Sequence, residues 1–310
     1  MNILVWHVHG SWMTSFVQGK HTYVIPTVAD RGPDGRGRAD TWEWPSNALE
    51  RAPEALADER PDLIVLQRPH EYELIREWTG WTPGLDVPAV YLEHNAPQGR
   101  INEMRHPMAS VRNVPVVHVT YFNQLFWDCG EARTFVVEHG IVDPGYRYTG
   151  ELARYAVVIN EARRRARVTG TDLLPRFDTI APVDVFGMDA GPMGGFENLP
   201  QERMHDEIAR RRVYVHPIRW TSLGLSLIEA MHLGMPVVAL ATTEVPHAVP
   251  SDAGVISTDV NALVDASRTL LNDLDRCVEM GNRARAYARE RFGLERFLDD
   301  WDRVIEEIVP

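Results

Sequence analysis

The sequence predicts an α/β protein of two domains, each built around a parallel sheet. Three observations carry that expectation. The chain has 310 residues, more than one ordinary core organises, and domains of roughly 150 residues are the usual unit. Its apolar runs are short and rich in Val, Ile and Leu, with little strict alternation, as in strands covered on both faces. Helical stretches fall between those runs, and alternating strands and helices imply parallel sheets. A hydrophobic content of 44% and a charged content of 25% are ordinary for globular chains.

In chain order, strands are expected at 3–9 (ILVWHVH), 21–26 (HTYVIP), 62–67 (DLIVLQ), 87–94 (VPAVYLEH), 114–120 (VPVVHVT) and 134–139 (TFVVEH). Helices are expected at 46–58, 71–78 and 121–129. The stretch 30–40 (DRGPDGRGRAD) reads as a surface connection, because no helix follows it at once. Around 143–155 the pattern breaks at Pro144, Gly145 and Gly150. It restarts with strands at 155–159, 182–187, 212–217, 236–240 and 254–257. Helices at 201–211, 223–233, 260–274, 275–291 and 294–308 accompany them. The reading is a domain over 1–145, a second over 146–293 and a C-terminal helix over 294–310, with a ligand cleft between the domains at strand C-terminal ends.

A net charge of −12 argues against nucleic acid and anionic membranes as partners, since both need a positive surface. Cys129 and Cys277, the two cysteines, exclude a disulfide scaffold or a Cys-rich zinc site and fit a reducing cytoplasm. No apolar run approaches the roughly 18 residues that span a bilayer. The start, MNILVWHVHG, lacks a basic region and reads as a strand rather than a signal peptide. Oligomeric state is not legible.

Residues 221–239, TSLGLSLIEAMHLGMPVVA, carry the chemistry. A strand, RVYVHP, leads through a turn into a helix that Gly234-Met235-Pro236 stops. Free N–H groups near Leu223, Gly224 and Leu225 would point at an anion. Gly224 permits close approach, and Ser222 is the expected N-cap. Glu229 stands five residues past Gly224, about 7–8 Å along a helix axis. That is the reach from a diphosphate to its ribose, whose two hydroxyls a carboxylate can accept. The alternative is a buried Glu paired with an Arg of a neighbouring helix.

The segment resembles the GT-B-fold, family-4-like glycosyltransferases, the glycosyl transferases group 1. The turn, the Glu229-Ala230-Met231 triplet and the Gly234-x-Pro236-Val237-Val238 strand fall in register with that family's motif. TFVVEHGIVD (134–143) is similar to the strand and turn that close the family's first domain, with His139 where asparagine is usual. VPAVYLEHN (87–95) resembles the strand that delivers a histidine, here His94, to the interdomain cleft and the donor sugar. The resemblance implies two Rossmann-like domains facing across a cleft. It implies a sugar transferred from a nucleotide diphosphate sugar to an acceptor with retention of configuration. No HExxH, paired His or His/carboxylate cluster with metal spacing appears, so no bound metal is expected, nor a cofactor beyond the donor. The second domain would hold the donor and the first the acceptor.

Two positions depart from the pattern. The family's first Glu, which touches the transferred sugar, falls at Thr221. The glycine pair after the first strand is replaced by Gly10 and Ser11. The loop INEARRRARVTG (159–170) supplies Arg163, Arg164, Arg165 and Arg167. Arg164 matches the family's diphosphate-neutralising Arg, and Arg167 stands near its Lys. Fixed guanidinium groups stabilise the charge a leaving diphosphate gains. The alternative is a solvated basic turn.

His7, His9, His94, His118, His139 and His216 border strands, with no metal-ligand spacing among them. Trp12 and Trp220 fall in expected cleft loops. The reading is a glycosyltransferase. Its rivals are a nucleotide-sugar epimerase or sugar phosphorylase on the same fold, or a non-catalytic nucleotide-sugar binding protein.

Overall fold

A computed structural model of the protein describes residues 1–309. The chain folds as two compact units, Met1–Val142 with Leu294–Pro310, and Asp143–Gly293. Pro310, the last residue of the expected C-terminal segment, lies outside the described residues.

The first unit begins with β1 (Asn2–Val5), α1 (Gly10–Phe16), β2 (Thr22–Pro26), β3 (Ala48–Arg51) and α2 (Pro53–Leu56). It continues with β4 (Leu63–Leu66), α3 (Glu71–Thr79), β5 (Ala89–Glu93), β6 (Val116–His118), α4 (Tyr121–Phe126) and β7 (Thr134–Val136). The strands form one parallel sheet in the order β3-β2-β1-β4-β5-β6-β7. Ile3, Val5, Leu63, Ile64, Val65 and Val90 are fully buried, which explains runs without alternation.

The helix expected over 46–58 is corrected. Ala48-Leu49-Glu50-Arg51 pairs in parallel with Tyr23–Pro26 as an edge strand. Good helix formers yield here to a tertiary pairing. Ala52 stays extended (φ −70°, ψ 147°) ahead of Pro53, because a residue before proline is disfavoured in the α region. The helix therefore starts only at Pro53. α4 is also shorter than expected, since Trp127 is extended (φ −84°, ψ 122°).

The second unit runs β8 (Leu152–Val158), α5 (Ala162–Thr169), α6 (Leu174–Asp178), β9 (Val183–Phe186), α7 (Gln201–Arg210) and β10 (Arg211–His216). It then runs α8 (Leu225–His232), β11 (Val237–Leu240), α9 (Val245–Ala248), β12 (Gly254–Ser257), α10 (Val260–Leu271) and α11 (Leu274–Arg291). Its parallel sheet has the order β12-β11-β10-β8-β9. The chain then returns to the first unit in α12 (Leu294–Ile308). Trp301 and Phe297 of this helix are buried against Trp12 and Phe16. Trp12, expected in a cleft loop, is thus a core residue at 1% exposure.

The end of α8 explains the Gly-Met-Pro punctuation. Gly234 is left-handed (φ 85°). Its N–H reaches the Met231 carbonyl, and the Met235 N–H reaches Ala230, the paired bonds of a Schellman cap. A Cβ on Gly281 of α11 would lie 1.9 Å from the Gly234 carbonyl oxygen, so that glycine lets α11 close on α8. Among the described residues no helix is long and apolar enough to cross a membrane.

Candidate functional site

In the second unit the sheet reverses its winding between β8 and β10. Loops leaving the C-terminal ends of two such strands diverge and open a crevice, the usual ligand position in open α/β sheets. The loop after β8 is α5 with its arginines. The loop after β10 is the turn 217–224 that feeds α8. Backbone bonds tie the two together, since the Val168 carbonyl accepts from Arg219 N–H (2.9 Å) and Trp220 N–H (3.2 Å). Gly170 makes this approach possible. It is left-handed (φ 72°), and a Cβ there would lie 1.9 Å from the Pro217 carbonyl oxygen.

The arginine loop is unusually bent. Glu161 (φ 54°) and Ala166 (φ 39°, ψ −107°) take positive φ without being glycine, a costly conformation. Arg164 and Arg167 do not stand as unpaired cations. Arg164 Nε bonds Glu161 Oε1 at 2.8 Å, because positions three apart share a helix face. Arg167 meets Asp172 at 3.4 Å. Arg163 is exposed, and Arg165 is half-buried. Neither enters an ion pair among the described residues. Burial, with the charge of Arg164 beside it, holds the Arg165 pKa below the usual arginine range. Arg219, which sequence reasoning missed, joins Asp172 at 2.9 Å. Its only sequence signal is its place in the turn.

Ser222 is not the N-cap. The chain stays extended through Gly224 (φ −72°, ψ 121°), so α8 starts at Leu225 with no side-chain cap. Ser222 and Leu223 are buried instead, while Thr221, Gly224 and Leu225 are half-buried. Gly224 at the start of this eight-residue helix offers no side-chain cap, and the first-turn N–H groups of a helix favour an anion. A Cβ on Gly224 would lie 2.7 Å from Cε1 of His216. His216 is buried, its Nδ1 has no hydrogen-bond partner among the described residues, and burial lowers its pKa to about 4. Glu229 is 5% exposed. Its Oε2 lies 3.5 Å from Nε2 of His205 on α7, so the neighbouring-helix partner is a histidine rather than an arginine.

In the first unit the winding reverses between β1 and β4. His94, at the end of β5, is buried. Its Nε2 lies 2.9 Å from Gln67 Oε1, while the Gln67 amide nitrogen donates to the Trp6 carbonyl at 2.7 Å. The oxygen of Gln67 must therefore accept, so His94 carries its proton on Nε2. Burial first, then His9 and His139, holds His94 well below the usual histidine range. The His9 and His94 rings are 4.0 Å apart, and His94 and His139 are 6.5 Å apart. Gly10 and Ser11 open α1, a helix of seven residues. A Cβ on Gly10 would strike the Trp42 ring at 2.2 Å. Its smallness admits an indole.

Residues 195–287 match the family model of glycosyl transferases group 1. No curated protein matches the sequence. Solved structures are similar in fold. HepE from Anabaena, in complex with UDP and glucose, aligns with a TM-score of 0.73 at 13% identity, covering 98% of this chain and 99% of that one. Sucrose-phosphate synthase from Thermosynechococcus elongatus aligns with 0.70 at 14%, covering 99% and 98%. TarM of S. aureus aligns with 0.63 at 14%, covering 78% of this chain and 55% of that one, so the chain spans about half the length of TarM. The chain has the GT-B fold, and residues 195–287 are similar to glycosyl transferases group 1. The family segment of this GT-B chain holds the Gly224 turn, α8, Glu229 and the Gly234 cap. The arginine loop lies just outside it, bound to it through Val168.

Proposed function

We propose that the protein transfers a sugar from a nucleotide diphosphate sugar to a hydroxyl acceptor, with retention of configuration and without a metal. The donor belongs to the second unit and the acceptor to the first. One observation carries the reading: the start of α8, which takes no side-chain cap from Gly224, and an arginine-rich loop are bonded together at the winding reversal of the second sheet. Both features favour a diphosphate, and both stabilise the charge it gains as it leaves. The HepE structure, with its UDP and glucose, supports a nucleotide-sugar donor. Glu229, in the second turn of α8, takes the ribose hydroxyls. The leaving phosphate oxygen helps deprotonate the acceptor, so no protein base is required. A hexose donor and a cytoplasmic setting, consistent with two free buried thiols, complete the proposal.

Product analysis with UDP-, GDP-, ADP- and dTDP-sugars tests it. A glycoside product independent of inorganic phosphate is expected. A product that needs phosphate, or an epimerised nucleotide sugar, contradicts it.

Thr221 favours a second reading, a binding protein with weak or absent turnover, since the family's carboxylate is missing from this half-buried position. Donor binding without turnover over a broad acceptor panel would support it, while Thr221→Glu separates a slow enzyme from one whose donor is anionic. A slow enzyme that lacks charge stabilisation should gain turnover with neutral hexose donors. An enzyme whose donor is anionic, such as a uronic acid, should lose activity, because like charges held close are costly. Unchanged rates would place Thr221 away from the sugar.

A further inference from the structure

A pocket of about 300 Å³ opens in the first unit beyond the ends of β4 and β5, lined among others by Gln67, Arg68, Glu93, Asn95, Gln98 and Trp127. Its volume is at the low end for ligand sites, roughly 300–1,000 Å³, and suits one sugar ring rather than a long chain. It lies beside the winding reversal at β4, where an open parallel sheet offers a crevice.

The charges of the lining are fixed. Arg68 is already matched twice, with Nε 2.6 Å from Glu71 and Nη1 3.1 Å from Asp34. Glu93 adds a further carboxylate, 95% buried. One oxygen of Glu93 accepts the Asn95 N–H (2.7 Å) and the other meets His106 Nε2 (3.0 Å). His106 Nδ1 accepts the Met108 N–H at 3.1 Å, so His106 donates through Nε2 as a neutral ring. The lining cation is thus held by carboxylates behind it, and an acid entering the pocket would meet the Glu93 carboxylate as like charge.

Its hydrogen-bond capacity is not used up. Arg68 Nη2 is buried and has no hydrogen-bond partner among the described residues. Each Glu93 oxygen keeps a lone pair. Trp127 is half-buried, and its indole N–H is held by the Asn95 carbonyl at 2.8 Å, which fixes the ring as an apolar wall. A carboxylate with free lone pairs and an aromatic face together suit a neutral polyol.

We infer that this pocket is the acceptor subsite and that it takes a neutral, sugar-sized polyol while rejecting acidic sugars. The inference rests on the transferase reading given above. Titrations of the whole protein with methyl β-D-glucopyranoside and with methyl β-D-glucuronide, followed by NMR, test it, with UDP titrated in parallel. The neutral glycoside should bind at least about tenfold more tightly than the acid, a difference of ~1.4 kcal/mol. Gln98→Trp, a change at an exposed rim position, should abolish glucoside binding and leave UDP affinity unchanged. Glu93→Gln should weaken the glucoside and narrow its advantage over the glucuronide. Equal or tighter binding of the glucuronide, no binding of either glycoside, or glucoside binding unaffected by Gln98→Trp overturns the assignment. Loss of UDP binding alone contradicts the donor reading and leaves this pocket to be judged by the two glycosides.

Discussion

At the scale of single residues, Glu229 has the most demanding surroundings. A carboxylate with 5% exposure is tolerated in an apolar helix only with partners, and His205 on α7 is one of them. The ribose role predicts that Glu229→Ala weakens donor binding by about 1.5–3 kcal/mol, the range for hydrogen bonds to a charged group, in protein that still folds. Calorimetry with the nucleotide donor measures it. Unfolding of the variant, with donor affinity unchanged in whatever remains folded, would assign Glu229 to structure alone. The sequence marked Glu229 because a charge stood in an apolar run. It could not mark Trp12 as core, because the rings that bury it, Phe297 and Trp301, are nearly 290 residues away in the sequence. Nor could it orient Arg164, whose partner Glu161 depends on where α5 begins.

At the scale of elements, two short turns set the geometry of the donor side. Gly170 combines left-handed backbone with a 1.9 Å approach to Pro217. Gly170→Ala should therefore cost ~1–3 kcal/mol or more and loosen the joint between α5 and the turn after β10. Urea titration reads the stability, and nucleotide affinity reads the joint. A variant with parental stability and affinity would show that the two loops do not depend on this contact. The helix stop at Gly234 was legible because Gly and Pro have fixed conformational meanings. The strand β3 was not, because Ala-Leu-Glu-Arg favours helix until β2 offers it an edge. Ser222 was misread as a cap for a related reason. Local chemistry names a capping residue, but here the backbone enters the helix two residues later.

At the scale of the whole molecule, the alternation of strands and helices made both parallel sheets legible, while strand order emerged only from pairing. Five histidines, four of them buried and His9 half-buried, share one electrostatic situation. Burial lowers His9 and His216 to about 4 and His118 and His139 to about 3, and holds His94 well below the usual histidine range. Each binds its proton less tightly folded than unfolded, where the usual value is about 6.5. As pH falls below that value the unfolded chain takes up protons first. The stability is therefore complete above about 6.5 and drains as pH falls towards 4. A tenfold change in proton affinity is ~1.4 kcal/mol for each histidine. Urea midpoints should fall from pH 7.5 to pH 5, and more than in a His216→Gln variant. Midpoints that stay level over this range contradict the buried neutral imidazoles.

The joined loops after β8 and β10 are the proposed seat of a nucleotide diphosphate. The most direct test is calorimetric titration of UDP, GDP, ADP and dTDP against their nucleosides, in the parent and in Arg164→Ala, Arg165→Ala and Arg167→Ala. One diphosphate should bind well above its nucleoside. The arginine substitutions should weaken that diphosphate by about 1.5–3 kcal/mol in total and leave the nucleoside nearly unchanged. A nucleoside that binds as tightly as its diphosphate, or losses that are equal for both, would contradict a diphosphate seat at these loops.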